Sequence, residues 1–242
     1  MNIAVVVPTF NEAGNIRAMA EVLLALPLPG LRVLIVDDDS PDGTGRLADD
    51  MAASSAGRLG VLHRTGKRGL GLAYINGFRR VLDEGAEVVV QMDADFSHPP
   101  ADVPRLVEKL PDFDVAVGSR YVPGGRIDET WGAGRFALSR SANAYARSIL
   151  RLRTRDATAG FKAWRRSALE AIDLGRIGSS GYLFAVEMAY VSERLGLRIA
   201  EVPIYFADRH TGESKMSLRV KLEAAAGIVR VWRRHHRIPP PG

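Results

Sequence analysis

Val88-Val89-Val90-Gln91-Met92-Asp93-Ala94-Asp95-Phe96-Ser97-His98-Pro99-Pro100 is the stretch that decides the fold. The mainly apolar run that begins it suits a strand buried on both faces, the kind found in parallel sheets. It ends on two aspartates separated by one alanine. Residues two apart at a strand end can point the same way. Carboxylates held that close repel unless something compensates. A hard divalent cation with oxygen ligands would do so, and Mg²⁺ takes one or two carboxylates and completes its shell with phosphate oxygens and water. Asp93 and Asp95 therefore suit a metal–diphosphate complex. The ordinary alternative is a turn or capping cluster ahead of the helix expected over residues 101–110.

Outward from this stretch the chain alternates. Strands are expected at Ile3-Ala4-Val5-Val6-Val7, Leu31-Arg32-Val33-Leu34-Ile35-Val36, Leu59-Gly60-Val61-Leu62 and Val115-Ala116-Val117. Helical patterns separate them over residues 12–26, after the turn at 40–44, and over 71–82. This β-α repetition predicts an α/β fold, with a mostly parallel sheet and helices on both faces. Ligands bind such sheets at the carboxyl ends of the strands. Polar clusters sit at those ends: 8–12, Asp37-Asp38-Asp39, 64–68, 93–98 and 118–121. Three adjacent aspartates need hydrogen-bond donors. A nucleoside would supply them to one, and the Ser40-Pro41-Asp42-Gly43-Thr44 turn would engage another.

Beyond Arg120 the pattern loosens. Helices are expected over residues 135–150, 183–195 and 217–236, with 155–164 irregular or extended. Ile199-Ala200-Glu201-Val202-Pro203-Ile204 reads as a late strand, and its proline predicts an edge. A catalytic domain over residues 1–216 and a C-terminal helix and tail over 217–242 is the expected division.

With 46% hydrophobic residues, the 242-residue chain can build one sizeable core. It has no cysteine, so neither disulfides nor thiolate chemistry are available. No signal peptide or membrane-spanning run is visible. The net charge of +5 favours an anionic partner, with basic residues concentrated toward the C-terminus. A nucleic-acid binder is disfavoured, because aromatic residues are only 7% and do not interleave with basic ones.

Three ordered segments carry a resemblance. They are Val7-Pro8-Thr9-Phe10-Asn11-Glu12, Val36-Asp37-Asp38-Asp39-Ser40-Pro41-Asp42-Gly43-Thr44 and Asp93-Ala94-Asp95-Phe96-Ser97-His98-Pro99-Pro100. Together with Gly66-Lys67-Arg68-Gly69-Leu70-Gly71, Gly118-Ser119-Arg120-Tyr121, Gly160-Phe161-Lys162 and Ser214-Lys215-Met216-Ser217, the chain resembles inverting glycosyltransferases of the GT-A (Rossmann-like) fold. Among these it is most similar to dolichol- and polyprenol-phosphate mannose synthases.

The resemblance implies mannose transfer from GDP-mannose to a polyprenyl or dolichyl monophosphate, with Mg²⁺ or Mn²⁺ as cofactor. It places Pro8, Phe10, Glu12, Val36, Asp38 and Lys67 at the nucleotide. Asp95 is the implied metal ligand and Asp93 its diphosphate-side partner. Ser97 stands where the family often has a glutamine that helps ligate the metal, and its oxygen or a water would substitute; Ala185 stands in the glutamine position of a separate family motif ahead of Glu187. Arg120, Arg135 and Ser139 are the implied acceptor-phosphate residues, with Arg209 and Lys215 on a loop closing over the diphosphate. The implied setting is the cytoplasmic face of a membrane, with room for a separate membrane-anchoring protein. A UDP-glucose-dependent enzyme and a catalytically impaired nucleotide binder stay open as alternatives.

An anionic acceptor phosphate needs little or no general base, so catalysis would rest on positioning and charge stabilisation. Leu218, Leu222, Ala225, Val229 and Trp232 share one face of the last helix by 3.6-residue spacing, making it amphipathic. That face suits either a membrane surface or packing on the domain. His235-His236 reads as an exposed basic tail, and His98 as a local hydrogen-bonding residue.

Overall fold

The computed structural model describes residues 1–208 and 218–238, with side chains from residue 226 onward in the second segment. The strands are β1 (Ile3–Thr9), β2 (Leu31–Asp37), β3 (Leu59–His63), β4 (Val88–Gln91), β5 (Val115–Ser119), β6 (Arg126–Ile127), β7 (Lys162–Arg165), β8 (Ile199–Pro203) and β9 (Tyr205–Phe206). The helices are α1 (Ile16–Leu24), α2 (Thr44–Ser54), α3 (Leu70–Asp83), α4 (Val103–Val107), α5 (Ala133–Leu150), α6 (Arg166–Ala171), α7 (Tyr182–Arg194) and α8 (Leu218–His235).

The main sheet has the order β3-β2-β1-β4-β7-β5-β8, and β6 pairs with β9. All main-sheet pairings are parallel except those of β7, which lies antiparallel between β4 and β5. Successive β1 residues alternate between two cores. Ile3, Val5 and Val7 join Ile16, Met19 and Leu23 of α1. Ala4 and Val6 join Tyr74 and Phe78 of α3. A strand covered on both faces has no polar side to show, which accounts for its unbroken apolar sequence.

The chain winds from β1 through β2 to β3, then crosses back to β4 on the other side of β1. This reversal opens a crevice at the carboxyl ends of β1 and β4, where α/β sheets bind ligands. Pro203 ends β8, an edge strand, as its sequence predicts. The expected helix over 101–110 is instead a 3₁₀ turn, Pro100–Asp102, followed by the short α4. Lys162–Arg165 forms an internal strand, where 155–164 was expected only as irregular or extended.

The last helix packs on the domain through residues that adjoin the expected apolar stripe. Ile228 and Val231 pack with Ala146 and Leu150 of α5 and with Val186 and Tyr190 of α7. Trp232 is 43% exposed, and Leu218, Leu222 and Ala225 lie outside the described side chains. His235 is not an exposed tail residue: it is buried at 2% exposure against Glu187. Both histidines look alike in a basic run, and only the packed helix face distinguishes them. Among the described residues no helix is long and apolar enough to cross a membrane.

Candidate active site

The crevice holds a pocket of about 200 Å³ lined by Pro8, Thr9, Phe10, Glu12, Asp38, Leu70, Ala73, Asp93, Ala94 and Asp95. Residues from three expected clusters, separated by more than eighty positions in the chain, thus share one wall system. Val36 departs from them. It is fully buried in the core with Val6 and Phe78 and does not line the pocket. Lys67 is exposed outside the lining, and its carbonyl accepts a hydrogen bond from Arg64 Nη2 at 3.0 Å.

The β1 loop is held by the turn that follows β2. Asn11 N donates to Ser40 Oγ at 3.1 Å, Glu12 N to Thr44 Oγ1 at 2.9 Å, and Ala13 N to Asp42 Oδ2 at 3.1 Å. Asn11, Asp39 and Phe96 have left-handed backbones, with φ of 59°, 58° and 59°. They follow β1, β2 and β4. Such conformations are costly for non-glycine residues and concentrate at functional sites.

The three aspartates at the end of β2 divide their work. Asp37 accepts from Thr9 Oγ1 at 3.2 Å and from Ser40 N at 3.2 Å, a structural role. Asp38 faces the pocket, its carboxylate set by an ion pair with Arg64 and by Gly69 N at 2.7 Å. Asp39 is exposed and pairs with Arg68 at 2.8 Å. The Arg68 guanidinium lies 4.7 Å from the centre of the exposed Phe10 ring, a cation–π contact on the pocket rim.

Each carboxylate of the Asp93–Asp95 pair has one oxygen fixed by a neutral hydroxyl. Tyr74 Oη donates to Asp93 Oδ1 at 2.7 Å. Ser97 donates to Asp95 Oδ1 twice, through Oγ at 2.6 Å and N at 3.1 Å. Burial, reinforced by Asp93, pushes the Tyr74 hydroxyl well above its ordinary pKa, so it stays a donor. Asp93 N donates to His98 Nδ1 at 3.3 Å, which leaves the proton of the neutral ring on Nε2. Burial lowers the His98 pKa despite the nearby carboxylates. Sequence reading missed Tyr74 and Arg64 as partners of the acidic clusters. Their contacts join segments far apart in the chain and leave no local pattern.

On the other side of Asp93, Arg120 is almost buried. Its guanidinium grips Asp156 at 2.7 and 2.8 Å and Thr158 Oγ1 at 2.7 Å. Burial opposes both charges, but their mutual attraction prevails, raising Arg120 and lowering Asp156. Arg135 pairs with Asp208 at 2.7 Å and lies 3.7 Å from the centre of the Trp131 ring. Ser139 Oγ sits 2.9 Å from Tyr121 Oη. Phe206 joins these groups, 5.5 Å from the His98 ring, 5.7 Å from Trp131 and 5.1 Å from the Arg120 guanidinium. Arg209 and Lys215 lie outside the described residues.

Residues 4–173 match the model of the family described as glycosyl transferase family 2. The chain belongs to that family. It is a glycosyltransferase. The enzyme is 41% identical to the polyprenol monophosphomannose synthase of Mycolicibacterium smegmatis, over 93% of this chain and 91% of the relative. It is 46% identical to the undecaprenyl-phosphate mannosyltransferase of Micrococcus luteus, over 95% and 93% of the two chains. Its fold is that of glucosyl-3-phosphoglycerate synthase from Mycobacterium tuberculosis, solved with Mn²⁺, UDP and product. That match covers 100% of this chain and 81% of the other, with a TM-score of 0.66 and 21% identity.

Proposed function

We propose that this enzyme transfers mannose from GDP-mannose to a polyprenyl or dolichyl-type monophosphate, inverting the anomeric carbon and releasing GDP. The observation that carries this reading is the single pocket joining Phe10, Glu12 and Asp38 to Asp93 and Asp95. A nucleoside suits the first group and its diphosphate the second. Mannose and a polyprenyl phosphate acceptor are supported by the names of relatives at 41% and 46% identity. The guanine base rests on the family resemblance.

Asp93 and Asp95 would hold Mg²⁺ or Mn²⁺. They fit the ion as oxygen donors whose orientation is already set by Tyr74 and Ser97. Among the described residues no cluster of three His, Cys, Asp or Glu could hold a metal alone, so phosphate oxygens and water would complete the shell. Bound there, the ion supplies positive charge to the departing diphosphate. Ser97, with its hydroxyl bonded to Asp95 and 1% exposure, orients that carboxylate and is not itself a ligand.

The acceptor phosphate brings its own anionic oxygen. That oxygen forms the new bond to the sugar C1 as the bond from C1 to the diphosphate breaks, and the electron pair leaves on GDP. No proton needs to move, and an α-linked donor gives a β-linked product. Arg135, stacked on Trp131 beside Ser139 and Tyr121, is suited to hold the acceptor phosphate. Arg120, committed to Asp156, acts by fixing the backbone after β5. By the family resemblance, Arg209 and Lys215, which follow Asp208 in the chain, would serve the diphosphate. The enzyme would work at the cytoplasmic face of a membrane, by itself or beside a separate anchoring protein.

The test is transfer of radiolabelled sugar into lipid extract, with GDP-mannose and UDP-glucose as parallel donors and Mg²⁺ or Mn²⁺ present. Mannolipid formed from GDP-mannose supports the proposal, and label entering only from UDP-glucose overturns the donor assignment. Full metal-dependent turnover by Asp95→Ala would remove the metal centre from the mechanism.

A further inference from the structure

Glu187 of α7 is fully buried and accepts hydrogen bonds from two directions. From α8 come Arg234 Nη1 at 2.6 Å and His235 Nε2 at 2.8 Å. From the loop before α7 come the backbone N–H groups of Gly178, at 3.1 Å, and Ser179, at 2.7 Å. A buried carboxylate this well satisfied ties together the elements that satisfy it.

The loop is held closely on both sides. A methyl group at Gly178 would meet Arg234 Nη1 at 2.7 Å. On the far side, a methyl group at Gly71, in the first turn of α3, would meet the Ser179 carbonyl at 2.4 Å and Phe184 Cδ2 at 3.0 Å. Glycine at both positions is what lets α8, the loop and α3 approach so nearly. Phe184, in turn, stacks on Tyr74 of α3, with ring centres 5.6 Å apart and planes 7° apart. Tyr74 holds Asp93, and Leu70 and Ala73 of the same helix line the pocket.

We infer that Arg234 and His235 at the end of α8 are positioning residues for the catalytic pocket, acting through Glu187, the Gly178–Ser179 loop and the Phe184–Tyr74 stack on Asp93. None of these links, from His235 to Tyr74, is among the residues that line the pocket. Loss of the α8 donors frees the loop, shifts the first turn of α3 and loosens the hydroxyl that orients Asp93. The inference rests on the proposed role of Asp93 beside the metal and diphosphate.

Mn²⁺ binding in the presence of GDP, followed by electron paramagnetic resonance on the full chain, tests it. His235→Phe removes the donor, His235→Gln keeps one, and Tyr74→Phe removes the hydroxyl on Asp93. Ala226→Ser, at an exposed position, alters the same helix off the path. His235→Phe and Tyr74→Phe are each expected to weaken Mn²⁺–GDP binding about three- to tenfold. The double variant should be no weaker than the worse single one, because both act through Asp93. His235→Gln should restore binding, and Ala226→Ser should leave it unchanged. Wild-type binding by His235→Phe, or full additivity with Tyr74→Phe, overturns the inference while leaving the pocket assignment standing. Absence of Mn²⁺–GDP binding by the wild type overturns the assignment itself. If His235→Phe does not fold, Arg234→Met, at a side chain 36% exposed, carries the same comparison.

Discussion

In the proposed metal site, Ser97 and Tyr74 fix two carboxylates with neutral hydroxyls, which orient without neutralising. Ser97→Ala should therefore raise the Mn²⁺ concentration for half-maximal turnover by about tenfold, the usual scale for losing a group that supports a metal ligand. A metal titration of turnover checks this, and an unchanged midpoint would return Ser97 to a purely structural role. Lys162 is a different case. Burial pushes its ammonium down to about 7, with Asp156 only partly opposing, and its Nζ donates to the Ala185 carbonyl at 2.9 Å. The unfolded chain binds this proton up to about pH 10.5, so the native state gains stability as pH rises from about 7 to 10.5. Lys162→Met lacks that dependence. Relative to wild type, its melting temperature should be higher at pH 6 than at pH 9 by about 3 °C or more. At this scale Asp93 and Asp95 were legible because they follow an apolar strand, and the clusters holding Phe10, Glu12 and Asp38 stood out at strand ends, while their place at the nucleotide came from the family resemblance. Val36 was misplaced: as the last apolar residue before Asp37 it shares the motif, but its side chain alternates into the core.

Elements were legible where period and punctuation agreed. The β1–α1–β2–α2–β3–α3–β4 run was read in order because each strand is apolar and each helix patterned. β7 was not identified as an internal strand. It is four residues long and contains a fully buried lysine and a terminal arginine, so its sequence carries no apolar run. The sequence of α8 left open whether its apolar stripe meets a membrane surface or the domain; among the described side chains, Ile228 and Val231 meet α5 and α7. The tie between α8 and α7 has an acid signature. Burial works against the Glu187 charge, but hydrogen bonds from His235, Ser179 and Arg234 hold its pKa at about 2. Its stabilising contribution is complete above the ordinary value of 4.5 and is lost as pH falls toward 2. Glu187→Gln should consequently lower the melting temperature more at pH 7 than at pH 3. Equal losses at both values would mean that the carboxylate charge contributes nothing to the tie.

For the whole molecule, charge and exposed aromatics bear on the acceptor. The net charge is +5, and Trp232 stands 43% exposed beside the basic Arg233 and Arg237. Binding to vesicles containing anionic lipid should fall several-fold in Trp232→Ala and weaken with added salt. Cosedimentation measures both effects, and salt-independent binding would leave the basic residues out of membrane attachment. The sequence pointed to an anionic partner through its charge asymmetry. It could not locate the packed side of α8, which depends on helices brought together only by the complete fold.

The antiparallel position of β7 also bears on how the chain is made. β4 and β5 never pair with each other, because β7 lies between them. During synthesis β1 to β4 can assemble early, but the outer edge of β4 stays open until Lys162–Arg165 has emerged from the ribosome. An exposed apolar edge of this kind recruits other chains. A fragment ending at residue 150 is therefore expected to self-associate where the full chain does not, and light scattering of the two after refolding would distinguish them. The strand that completes the sheet would then also set the interval in which a nascent chain most needs a chaperone.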